Sequence, residues 1–196
     1  MRKVILGLLV VFAFNTNAQK TETTFIQKIE GKTKQEIFSS INKWVALNYN
    51  SAMDVIQLSD VVGGSIVVKG INILIVPNTI GKAILSNNPY VLDNMEVKLN
   101  HVLDFSIKDG KYRLTFSFEK IDGGKVILSP LTEEVKKQRL ASPAKFPFTS
   151  KRKELIYAKI MLNMVEDERL AIINFIEKTN NVVLEGVISN QLDEDW

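Results

Sequence analysis

Residues 32–70 constrain the fold more than any other stretch, because they encode one capped amphipathic helix and, directly after it, a pair of strands. Thr33 followed three residues later by Glu36 is a capping box, in which each side chain satisfies an orphan amide at the helix start. From there Ile37, Ile41, Trp44, Val45 and Asn48 share one helical face, with Phe38 beside them and Gln35, Ser39, Asn42 and Lys43 opposite. That face must be buried. Asn48, Asn50 and Ser51 break the period, residues 54–58 alternate polar with apolar, and a turn follows over 59–64. Gly63 and Gly64 suit a hairpin connection, since glycine takes positive φ without a Cβ penalty. Residues 65–69 resume as a strand that Gly70 closes. The stretch therefore predicts a helix packed on a sheet.

A second hairpin supplies more of that sheet. Residues 96–108 and 111–120 flank Asp109-Gly110, a dipeptide that tolerates the backbone of a two-residue turn. Val97, Leu99, Leu103, Phe105 and Ile107 are the apolar positions of the first arm. Tyr112, Leu114, Phe116 and Phe118 alternate with Arg113, Thr115 and Ser117 along the second. Residues 23–29, around Phe25 and Ile26, read as a first strand. Residues 71–76 either extend the strand before them or form a separate one after a bend at Gly70, and Pro77 ends the run for want of an amide. Residues 78–94, with Gly81, Asn87, Asn88 and Pro89, mark a loop or short excursion. Trp44, Ile41, Ile37, Phe105, Phe116 and Phe118 are expected to share the core.

The second half is less regular. Residues 125–153 hold Pro130, Pro143 and Pro147 and two basic clusters, around Lys136 and Lys151, with a short exposed helix over 132–140. Residues 154–178 read as helix, in one piece or two, with Leu155, Ile156, Ile160, Met164 and Val165 on one stripe and Ile172, Ile173 and Ile176 on another. Asn180-Asn181 is a candidate stop. Residues 182–188 look strand-like without an assignable partner, and 181–196 are expected to be a C-terminal tail.

The N-terminus follows a secretory plan: Arg2 and Lys3, an apolar run over 4–14, then small residues before Gln19. Residues 1–18 are expected to be a signal peptide cleaved between Ala18 and Gln19, because an apolar run of about ten residues is short against the roughly 20 that span a bilayer. The predicted organisation is thus a signal peptide, a single domain over 19–180 and the tail. The sequence has no cysteine, so the mature chain uses no disulfide and no lipid-bearing cysteine. It is expected to be periplasmic or secreted, not a lipoprotein, with no transmembrane segment. The formal net charge of +3 includes Arg2 and Lys3; without them 25 basic side chains become 23 against 22 acidic, or +1.

The order strand, helix, four strands, helix, with WVALNYNSAMDVIQLSD, a glycine turn, SIVVKG and the FSIKDGKYRLTFSF hairpin, resembles a bacterial family of exported proteins: a domain of unknown function with a TBP-like fold. The resemblance runs from about Phe25 to Lys120. It implies an α+β fold, a curved antiparallel sheet (β-α-β4-α) with helices packed on one face, and it implies export. It carries no active site. A TBP-like name invites a nucleic-acid reading, but phosphate contacts come from Lys and Arg, and a mature charge near +1 together with the expected export argues against it. Fold alone does not transfer function.

No residue set announces catalysis. His101 is the single histidine, which with the absent cysteines excludes the common triads and any multi-histidine metal site. A lone strand histidine reads as a packing or surface residue. Carboxylates such as Asp93 and Glu96, or Glu166 to Glu168, are local acidic runs, whereas acid–base work needs two carboxyls in unlike environments across a cleft. Gly63-Gly64 and Gly123-Gly124 lie between strands and lack the strand, glycine loop, helix order that cradles phosphate. No cofactor is implied. One loop combines charge with aromatics: Lys145, Phe146, Phe148, Lys151 and Arg152 form a candidate contact surface toward anionic envelope, against the simpler reading of phenylalanines folded under their own loop. The leading expectation is a non-catalytic binding or interaction module of the cell envelope, its partner an envelope protein or ligand. The alternatives are a small carboxylate hydrolase and surface association through residues 125–153.

Overall fold

The computed structural model describes residues 22–85, 88–121, 126–141 and 150–189. In chain order the elements are β1 (Glu22–Lys28), α1 (Lys34–Asn48), α2 (Ala52–Val55), β2 (Ile56–Asp60), β3 (Ser65–Pro77), α3 (Thr79–Ile84), β4 (Asn94–Lys108), β5 (Lys111–Ile121), α4 (Glu133–Ala141) and α5 (Lys151–Ser189). The five strands form one antiparallel sheet in the order β1-β5-β4-β3-β2. Their burial alternates residue by residue, so that α1 and the C-terminal half of α5 cover one face and the other stays open.

The capping box forms as the sequence predicts. Thr33 Oγ1 accepts the Glu36 amide at 3.3 Å, and the Glu36 carboxylate accepts the Thr33 amide and hydroxyl, both at 2.6 Å. Those two donors from Thr33, hydroxyl first, lower the Glu36 carboxyl below its ordinary range. The Asp109-Gly110 turn does more than reverse the chain. Gly110, at φ +69, accepts the Ile29 amide and donates to the Lys32 carbonyl, both at 2.8 Å. The Asp109 carboxylate accepts the first helical amide of α1, from Lys34, at 2.7 Å. Lys32 is buried, and its Nζ donates to the Val187 carbonyl in the last turn of α5 at 2.5 Å.

Ile37, Ile41 and Val45 are fully buried on α1, with Phe38 and Trp44 beside them, against Leu103, Phe105, Leu114 and Phe116 of the central strands. All six expected core residues lie in this cluster. Between Asn100 and His101 the β4–β5 register shifts, leaving Glu119 as an extra residue on β5; this returns Ile121 to the covered face after the exposed pair Glu119 and Lys120.

Three elements differ from the sequence-based expectation, and a fourth, β3, takes one of the two courses that it left open. Residues 52–55 are a short helix, and the strand that follows is displaced to Ile56–Asp60. β3 runs straight through Gly70 to Pro77, because β4 pairs with it along the whole length, from Ser65 opposite Ser106 to Pro77 opposite Asn94. The excursion after Pro77 opens with the short helix α3, capped by Asn78, whose side chain accepts the Gly81 amide at 2.9 Å. The helix expected to stop at Asn180-Asn181 continues to Ser189, so residues 181–189 are not tail. Asn180 is buried and its side-chain oxygen accepts from Gln27 Nε2 of β1 at 3.2 Å, while Val183 and Val187 beyond it are fully buried. A satisfied amide and two buried valines outweigh the asparagine stop. In the N-terminal half of α5, Leu155 and Ile156 of the expected stripe are exposed and Ile160, Met164 and Val165 half-buried, none of them in the core cluster. Near its middle, Asp167 accepts from Thr79 of α3 at 2.7 Å, and Arg169 pairs with Glu166 through two nitrogens.

Two substitutions test this packing. Trp44 is 6% exposed and meets Phe105 and Tyr49 edge-on, so Trp44→Ala is expected to cost about 3–5 kcal/mol in urea unfolding; an unchanged midpoint would remove Trp44 from the core. Gly186 sits inside α5, where an added Cβ would lie 3.5 Å from Trp44 Cδ1, an ordinary contact. Gly186→Ala is therefore expected to stabilise by roughly 0.5–1 kcal/mol through helix propensity, and a lower melting temperature would show that α5 packs closer than described.

Candidate functional site

Where the C-terminal end of α1, the middle of β3 and the middle of α5 meet, they leave a cleft of about 560 Å³. Each wall has a local cause. The α1 helix ends at Asn48, whose side-chain amide folds back to the Trp44 carbonyl at 2.9 Å, so Tyr49 and Asn50 turn out over β3. α5 presents Ala171, Asn174, Phe175, Lys178, Thr179 and Val182, residues three and four apart on one side of the helix. The third wall is β3 itself over residues 71–75.

Under the Tyr49 end lies a buried polar pair. The Tyr49 hydroxyl and His101 Nε2 are 2.9 Å apart, and His101 is 1% exposed, between Tyr49 and the Phe175 ring, whose centroid is 5.2 Å away. His101 Nδ1 makes a long 3.5 Å contact with the Leu99 carbonyl, which only accepts; the ring proton is therefore assigned to Nδ1, and Nε2 accepts from Tyr49. Burial lowers His101 to about 4 and raises Tyr49 to about 12, so both are neutral at neutral pH. Gly70 makes room for the pair: it lies opposite His101 in the β3–β4 ladder, and a Cβ there would sit 2.8 Å from Tyr49 Cε1 and 3.0 Å from His101 Cε1. The glycine read as a strand end is a space for two rings.

The lining of the cleft is aromatic and amide-rich. Trp44, Tyr49 and Phe175 offer aromatic surface, Asn48, Asn50, Asn72 and Asn174 offer amides, and Lys178 offers one ammonium; no carboxylate lines it. The Trp44 Nε1 is buried with no hydrogen-bond partner among the described residues, its pyrrole edge lying toward Gly186 of α5. A second, smaller cleft between β1, residues 128–130 and α5 carries one carboxylate, Glu177. The pair of carboxyls that a hydrolase needs is in neither. Among the described residues no group of three or more His, Cys, Asp or Glu side chains is placed to hold a metal ion. No described helix is long and apolar enough to cross a membrane.

The residues singled out from sequence are not brought into this cleft. Lys151 and Arg152 are exposed in the first turn of α5, roughly 35 Å along the helix from Asn174. Lys145, Phe146 and Phe148 lie outside the described residues, as do the expected cleavage site at Ala18 and Gln19, the Gly123-Gly124 pair and the last seven residues. Of the packing and surface roles that the sequence left open to His101, it takes the first, behind the cleft residues Tyr49 and Phe175.

The fold is that of an α+β domain: one antiparallel sheet with helices on one face and a cleft beside the part of β3 that β2 does not reach. Residues 24–120 match the family described as a domain of unknown function (DUF4468) with TBP-like fold, and the chain carries a domain of that family. α4 and α5, which complete the core and one wall of the cleft, follow the matched segment. Two solved structures are similar: a TBP-like protein from Parabacteroides distasonis, at 16% identity and TM-score 0.46 over 85% of this chain and 91% of that one, and a DUF4468 family protein from Bacteroides ovatus, at 15% and 0.42 over 77% and 82%. No curated protein matches.

His101 predicts a pH dependence of stability. Its folded pKa is depressed from 6.5 to about 4, so the neutral ring contributes fully above about 6.5 and its contribution is lost as pH falls toward 4, a change of about 3 kcal/mol. Urea unfolding at pH 7 and pH 4.5 should show a steeper loss for wild type than for His101→Gln, which cannot titrate; equal losses would place the ring in water. Gly70→Ala should cost at least about 2 kcal/mol by driving Tyr49 off His101, with the Tyr49 ring resonances shifted.

Proposed function

We propose that the chain is an exported, non-catalytic binding module of the cell envelope, with the cleft between α1, β3 and α5 as its ligand site. The cleft carries this reading: three aromatic side chains, four amides and one ammonium converge on about 560 Å³ without a carboxylate or nucleophile set among its lining residues. Such a lining recognises by contact area and hydrogen bonds and offers no matched acid and base. The neutral Tyr49–His101 pair has the Tyr49 hydroxyl turned to His101 Nε2 and Nδ1 turned to the Leu99 carbonyl, which makes it a support for the wall. Export is supported by the secretory plan of residues 1–18.

Two experiments test the two halves of this reading. Expressed with its own N-terminus in a Gram-negative host, the protein should be recovered outside the cytoplasm beginning at Gln19; an intact Met1 in the cytoplasm would remove export. In ¹H–¹⁵N spectra titrated with a fragment collection, binders should move the Trp44 indole and the Asn174 side-chain amide, and Asn174→Trp, which fills the cleft from an exposed helix position, should abolish those shifts. Binders that perturb only residues elsewhere would move the site, and no perturbation at Trp44 by any fragment would end the cleft reading.

A further inference from the structure

We infer that the cleft is a strand-addition site: an extended peptide segment bearing a carboxylate lies along the free edge of β3, end to end with β2. The inference rests on the reading of the cleft as a binding site and names its occupant. β2 pairs with β3 only from Ser65 to Val68. From Lys69 to Pro77, nine residues, β3 pairs with β4 on one side and with no strand among the described residues on the other. The chain that would have continued β2 backward is instead α2, and before it Tyr49 and Asn50, which turn onto the helical face. On an antiparallel edge every second residue points its amide and carbonyl outward, ready for a partner.

Two features distinguish this edge from an ordinary one. Edge strands are commonly protected by charges, bulges or an internal proline. Residues 71–76 are Ile, Asn, Ile, Leu, Ile and Val, continuously paired to β4 with no bulge, and Pro77 comes only at the end. The cleft also runs against five consecutive residues of this edge, 71–75. A strand laid there would direct alternate side chains toward Trp44, Tyr49 and Phe175 and the others beside Ile71, Ile73 and Ile75, which are 65%, 56% and 59% exposed on the open face.

Charge selects the occupant. Lys178 is the one charged side chain lining the cleft. Pairing β3 with the β3 of a second copy about a dyad would superpose cleft on cleft and bring two Lys178 ammoniums together with no lining carboxylate between them. A separate peptide whose C-terminal or side-chain carboxylate meets Lys178 has the complementary sign.

The test uses the purified protein and a pool of acetylated hexapeptides with Val, Ile, Leu, Phe or Tyr at alternate positions, Thr between them and a free C-terminal carboxylate. At least one member should bind and slow hydrogen exchange of the amides in residues 69–77. Methylating the set of peptide amides that faces β3 should weaken binding tenfold or more, while methylating the opposite set should leave it unchanged. Lys178→Glu should weaken the free carboxylate and not the C-terminal amide. Equal affinity for both methylated peptides overturns strand addition and leaves the cleft as a site for apolar ligands. Exchange protection that grows with protein concentration in the absence of peptide overturns the separate peptide in favour of a second copy. If no member binds while fragments still move the Trp44 indole, strand addition falls and the binding cleft stands; if neither binds, both fall.

Discussion

The structure depends on what the Asp109-Gly110 turn does to the five residues between β1 and α1. Gly110 takes one hydrogen bond from that segment and gives one back, and Asp109 caps the first amide of the helix. The same segment supplies Lys32, whose buried ammonium holds the last-turn carbonyl of Val187. Sheet, first helix and last helix are therefore joined within a few residues at one corner. A buried lysine leaves no cheap alternative, since its ammonium unpaired in the interior would cost several kcal/mol. From that corner α1 and α5 run across the sheet, and the cleft opens where they part.

Local rules were legible and remote ones were not. The capping box at Thr33 and Glu36, the Asp-Gly turn and the alternation of Tyr112, Leu114, Phe116 and Phe118 rest on neighbours a few residues away, and each appears in the structure where the sequence puts it. Gly70 left two courses open for residues 71–76, because the reason for it is two rings, Tyr49 and His101, that sequence keeps 21 and 31 residues away. Asn180 misled for a similar reason: its partner is Gln27, across 153 residues. The expected core was legible because apolar periodicity reports which face is covered. The cleft was not, since its walls come from Trp44, residues 71–75 and Phe175, and no local pattern announces their meeting.

The short reach of β2 gives the candidate site its character. Had residues 49–55 continued as a strand, β3 would have been paired along both sides and α1 would have had no room to end over it. Instead Asn48 closes α1 on Trp44, Tyr49 drops onto His101, and the chain returns to the sheet only at Ile56. One local choice thus makes the aromatic wall, fixes the neutral pair beneath it and leaves backbone groups open beside both. α5, which lies after the segment shared with the family, then decides what the cleft can accept by placing Asn174, Phe175 and Lys178 along it.

The strand order has a consequence in time. β1 lies beside β5, with Glu22 paired to Ser117 at a separation of 95 residues. A ribosome adding about 5–20 residues per second makes β1 roughly 5–20 s before its only neighbour exists. The β4–β5 hairpin, by contrast, closes over a two-residue loop and forms on the microsecond scale. Docking of β1 closes a long loop, so it is expected to follow that hairpin, and it places Ile29 against the turn that anchors α1. Until β5 has been made, Phe25 and Ile26 lack the strand they pair with in the finished sheet.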